Sequence, residues 1–120
     1  MTKGAWETAP LFTERGDTMR EIMEVSKYIR KELKRAEEYA YEANKHKHEF
    51  PDMAAQYYRA AHEHLEIVDD LHLGVIKLIE AAKKSGATPS EAMKRMWEFE
   101  HDMLIEAKAD IVRLLDMYKE

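Results

Sequence analysis

Residues that break a helix are scarce in this chain and fall at a few places. From Thr18 to Glu120 proline occurs only at Pro51 and Pro89, and glycine only at Gly74 and Gly86. Between these marks, apolar or small residues recur every three or four positions, which is the spacing of one face of an α-helix. The first such face is Met19, Ile22, Ser26, Ile29, Leu33, Ala36, Ala40 and Ala43. The second is Tyr57, Ala61, His64, Val68, Leu71, Val75, Leu78 and Ala82. The third is Met93, Met96, Glu100, Met103, Ala107, Ile111, Leu114 and Tyr118. A chain so poor in turn residues does not make a many-stranded β fold. The spacing predicts an all-α, antiparallel bundle of three long helices.

The ends follow from local chemistry. Thr18 and Glu21 form an S/T-x-x-E capping pattern, so the first helix is expected over about 18–48. Pro51 lacks an N–H and restricts Phe50, which ends that helix, and it suits the first turn of the next one. The second helix is expected over 51–85, with Gly86 as a left-handed cap. Thr88-Pro89-Ser90-Glu91 reads as a capping box that opens a third helix over 89–119. Residues 1–17 are expected to form a tail. Its Trp6, Leu11 and Phe12 would pack on a neighbouring copy or on the open side of their own bundle.

Length and charge narrow the function. The 120 residues suit one domain, and the absence of cysteine excludes disulfides, thiolate metal sites and cysteine nucleophiles. No apolar run is long enough to span a membrane, and the N-terminal sequence has no signal-peptide core, so a cytoplasmic protein is expected. The net charge of −5 argues against duplex nucleic acid as a partner. There is no Gly-rich phosphate loop, nucleophile elbow or HExxH, and with only three serines covalent hydrolysis is disfavoured.

The second helix carries a further apolar row, Ala54, Tyr58, Leu65, Ile76 and Ile79, and the third adds Trp97, Leu104, Val112 and Leu115. A helix apolar over more than one face needs more than one partner, so a homo-oligomer is expected.

Two groups of polar residues are candidate sites. His64 and Glu100 occupy inward positions, where an unpartnered charge is expensive. Helix register brings His72, Glu100, His101 and Glu32 toward one end of the core. Asp69-x-x-His72 and Glu98-x-x-His101 have the spacing that di-metal helical bundles use. Glu32, His64, His72, Glu100 and His101 are therefore the candidate metal ligands, for iron, manganese or zinc. The competing reading is a set of satisfied, partly exposed histidines.

The second group is basic. Residues 27–35 carry Lys27, Arg30, Lys31, Lys34 and Arg35 against Glu32, a net +4 in a chain of −5. Lys27, Lys31 and Lys34, with Tyr57, Tyr58, Arg59 and Trp97, could clamp phosphate and stack on a base. The competing reading is an ordinary solvated basic face.

The run from Tyr57-Tyr58 through Leu71-His72 to Val75 resembles small helical proteins of Firmicutes phages and prophages, generally described as ferritin-like. So do His101, Ile105 and Glu106 and the ending Met117-Tyr118-Lys119-Glu120, and the resemblance covers roughly residues 19–120. It implies a ferritin-like bundle with metal chemistry. That pattern's first acid is kept as Glu63, but His64 replaces the second and Ile67 stands where its first histidine falls. His64 would then have to take over as ligand. The resemblance also implies a phage accessory role, in which an oligomer sequesters a nucleotide immune signal without cutting it. The expected function is thus non-enzymatic anti-defence binding of a small anionic ligand between subunits, with no cofactor. The alternatives are a ferritin-like di-metal protein or oxidase, and a structural or partner-binding helical module.

Overall fold

The computed structural model describes the backbone of residues 11–86 and 88–120 and the side chains of residues 18–86 and 88–120. Three helices and no strands are present among these residues: α1 (Leu11–His46), α2 (Pro51–Lys84) and α3 (Glu91–Lys119). Residues 1–10, with Trp6, lie outside the described residues, as do the side chains of Leu11 and Phe12 in the expected tail.

The helix ends differ from the sequence reading in informative ways. α1 starts at Leu11, so Thr18 is an interior residue, only 1% exposed, and not a cap. A four-residue capping pattern fits a helix start but does not force one, and Gly16 upstream costs a helix only about 1 kcal/mol. α1 ends at His46, where the Phe50 N–H donates to the His46 carbonyl at 2.8 Å. α2 opens with Pro51 in its first turn and ends at Lys84. Gly86 follows at φ +91° and its N–H donates to the Lys83 carbonyl, a cap that a Cβ would disfavour. α3 is capped by Ser90 and not by Thr88: Ser90 Oγ accepts from the Met93 N–H at 3.1 Å. The extended backbone of Ser90 lets its hydroxyl reach the Met93 N–H, so the cap falls two residues after Thr88, within the box.

The contacts fix the arrangement. Across α1 and α2 the partners are Glu32 with His64, Tyr39 with Tyr57, and His46 with Tyr57, so these helices run antiparallel. Across α1 and α3 the partners are Arg30 with Glu100, Asn44 with Leu114, and Lys47 with Met117. Each of these pairs is separated by 70 residues, so α1 and α3 are parallel and hold one register along their length.

Packing follows the small residues. From Ile22 onward the buried positions of α1 are Ile22, Ser26, Ile29, Leu33, Ala36, Ala40 and Ala43, stepping alternately by four and three, and Thr18 is buried one turn earlier. That is the seam of a left-handed helical pair. Its last three members are alanines that meet a stretch of α2 where Ala54 and Ala61 are also fully buried. Small side chains at a contact allow a short interaxial distance, so α1 and α2 lie close at this end. Asn44 Nδ2 donates to the Leu114 carbonyl at 2.8 Å, and Lys47 Nζ donates to the Met117 carbonyl at 3.0 Å. Lys47 thus reaches one of the last carbonyls of α3 and places a cation at its negative end, while Asn44 ties α1 to a carbonyl one turn earlier.

α1 packs along both other helices, whereas α2 and α3 meet each other at few points. Where they do, Tyr58 stacks on Tyr118 at 4.6 Å, and Lys108 Nζ lies 2.6 Å from Asp69 Oδ1. Toward the turn that joins them the two helices part.

Candidate functional site: a cleft between α2 and α3

The parting of α2 and α3 leaves a cleft of about 450 Å3. Its floor is α1, through Ile22, Ser26 and Ile29. One wall is α2, with His72, Val75, Ile76 and Ile79, and the other is α3, with Trp97 and Leu104. Glu98, Glu100, His101 and Asp102 complete the α3 side. Glu98, His101 and Asp102 are exposed, so the lip is acidic while the interior is aliphatic and aromatic. Of the nine surplus apolar residues noted in the sequence, Ile76, Ile79, Trp97 and Leu104 line this cleft. The signal for an unfilled face was therefore present in the periodicity. The floor was not legible, because Ile22, Ser26 and Ile29 read as ordinary core.

Trp97 is held by packing. Its indole N–H is buried and has no acceptor among the described residues. Outside the cleft lining, Leu73 on α2 and Ile105 and Val112 on α3 are also exposed.

Two imidazoles stand across the cleft. His72 and His101 have ring centroids 5.3 Å apart. Burial, the neighbouring His101 and, more weakly, Lys108 hold the His72 pKa below its ordinary value of 6.5, against the opposing pull of Asp69. His72 thus favours its neutral form, which leaves a ring nitrogen free to accept a hydrogen bond.

The five candidate metal ligands are distributed over three contacts. His72 and His101 share the cleft; His64 Nδ1 pairs with Glu32 Oε1 across α1 and α2; Glu100 Oε1 lies 2.6 Å from Arg30 Nη1. Neither His64 nor Glu100 is a core residue, since their side chains are 21% and 24% exposed. The inward line of α2 is Ala54, Ala61, Leu65 and Val68, two from each of the two apolar rows, so the buried face lies between them and His64 falls on its flank. Among the described residues no three histidine, aspartate or glutamate side chains gather into a group that could hold a metal ion.

The seven candidate anion-binding residues are likewise dispersed. Lys27 and Lys31 lie over the Tyr28 ring at 5.9 and 5.5 Å, and Lys34 is exposed farther along α1. Tyr57 belongs to an aromatic ladder along the α1–α2 seam, in which His64, Tyr39, Tyr57 and His46 stack in turn. Tyr39 was missed by the sequence reading, although it lies next to the buried Ala40. Tyr58 is occupied by Tyr118 and by the edge of His62. Arg59 donates to Gln56 on its own helix, and Trp97 lines the cleft. One subunit therefore does not bring these seven together.

No family model, no curated protein and no solved structure matches this chain. Among the described residues no helix is long and apolar enough to cross a membrane.

Proposed function

We propose that this protein is a non-enzymatic docking module that receives a basic amphipathic helix in the cleft between α2 and α3. The observation that carries this reading is an aliphatic, open-mouthed cleft of about 450 Å3 with carboxylates at its lip. An amphipathic helix lays apolar side chains into such a groove, and flanking lysines or arginines meet the acids. The same lip repels an anion. The partner-binding module foreseen in the sequence thus has more support here than a nucleotide held in this cleft.

The test uses a helical peptide of leucine and lysine and its leucine–glutamate counterpart, titrated against the Trp6→Phe protein so that emission reports Trp97. The Leu/Lys peptide is expected to give a saturable change, and Ser26→Leu, which fills the floor, is expected to weaken it at least tenfold. Equal binding of both peptides, or of neither, overturns the reading.

A second reading keeps the small anionic ligand, on a different surface. Two ammonium groups gathered around the exposed Tyr28 ring form a cationic patch suited to phosphate. A pocket there would need a second subunit as its other wall. A thermal-shift screen with nucleotides tests it, since a ligand bound only to the folded state raises the unfolding temperature.

A further inference from the structure

The outer face of α1 supplies what the cleft demands. Met23, Lys27, Arg30, Lys34, Glu37 and Tyr41 follow at alternating steps of four and three, so they form one stripe along the helix, with three cations against one acid between its ends. Met23 is 53% exposed and Tyr41 60%, and the two lysines between them are exposed as well. The stripe is apolar at both ends and basic in the middle. Its two lysines lie in the 27–35 segment that concentrates positive charge within a chain of net −5. None of its residues belongs to the buried seam of α1, so it remains outside when α2 and α3 are in place.

From this complementarity we infer that the helix docked in the cleft is α1 of a second copy of this chain, an inference that rests on the docking reading above. Met23 of one copy enters the aliphatic cleft of the next, while Lys27 and Lys34 lie against Glu98 and Asp102. The stripe and the cleft are different surfaces of the subunit, so the contact is head-to-tail. Such contacts close into a ring or continue as an open chain. A face-to-face pairing of two clefts would instead set the acids of Glu98 and Asp102 against their own copies.

Light scattering on the purified full chain tests this. The wild type is expected to have a mass well above 14.1 kDa that rises with concentration and falls at high salt, because exposed charges are screened. The double reversal Lys27→Glu/Lys34→Glu is expected to return it to the single-chain mass, and so is Glu98→Lys/Asp102→Lys. An equimolar mixture of the two variants is expected to reassemble, because each then offers the charge the other needs. That rescue shows both variants to be folded. A wild type that stays at 14.1 kDa at high concentration, reversed variants that assemble like the wild type, or a mixture that stays monomeric would each overturn the inference. If the Leu/Lys peptide binds while the wild type stays monomeric, only the second copy is excluded. If the peptide also fails to bind, the docking reading falls with it.

Discussion

His72 of α2 and His101 of α3 face each other across the cleft with ring centroids 5.3 Å apart, one of the few places where these two helices meet. Because burial and His101 lower the His72 pKa, the unfolded chain binds its proton more readily than the folded one. Stability must then fall as pH drops from about 6.5 through the lowered folded value, and level off below it. Thermal unfolding between pH 5 and 8 should show this slope. His72→Gln, which keeps a polar side chain without the titration, should flatten it. An unchanged acid slope in that variant would place the sensitivity elsewhere.

Thr18 leads to a prediction of the opposite sign. Its side chain is buried in α1, and Oγ1 has no hydrogen-bond partner among the described residues. A buried, unsatisfied hydroxyl costs about 1–3 kcal/mol, and valine has nearly the same shape without it. Thr18→Val should therefore raise the midpoint of thermal unfolding. A lower midpoint would reveal a partner for the hydroxyl.

The cap after α2 rests on backbone conformation alone. Gly86 sits at φ +91°, and a Cβ there would meet nothing within 4 Å. The cost of Gly86→Ala is thus the left-handed backbone itself, about 1–2 kcal/mol. Denaturant titration should give a lower midpoint with an unchanged slope, because the surface exposed on unfolding stays the same. A neutral result would mean that the turn relaxes to negative φ.

These residues also mark how far the sequence could be read. Spacing and breakers gave three helices, the Pro51 start and the Gly86 cap, because those features depend on neighbours in the chain. Thr18 and Ser90 show the limit of local patterns. Each is a good cap by type, and only the backbone on either side decides which one caps. Register placed His72 beside His101 and His64 near Ala36, since a short turn fixes where antiparallel helices pass. It did not reveal that α2 is rotated so that Leu65 joins Ala61 in the buried line and His64 turns outward to Glu32. That rotation is set by how closely the alanines let α1 and α2 approach. The cleft was half legible. Ile76 and Trp97 were visibly surplus, but their separation depends on three helices at once.

That separation predicts opposite responses to one kind of change at two positions of the same seam. Ala40 is fully buried in the close-packed half of the bundle, and Ala36 and Ala43, on the same seam, are also fully buried. Leucine at that position must push α1 and α2 apart, and overpacking of this kind typically costs about 1–3 kcal/mol. Ser26 is 6% exposed, yet it borders the cleft floor. Ser26→Leu can direct its added methyl groups into open space and cover apolar surface on Ile76 and Trp97. Ala40→Leu should therefore lower the unfolding midpoint, and Ser26→Leu should leave it unchanged or raise it. Circular dichroism melts of both variants, with helicity matched at low temperature, provide the comparison. Equal losses at the two positions would mean that α2 and α3 close over Ser26 in solution.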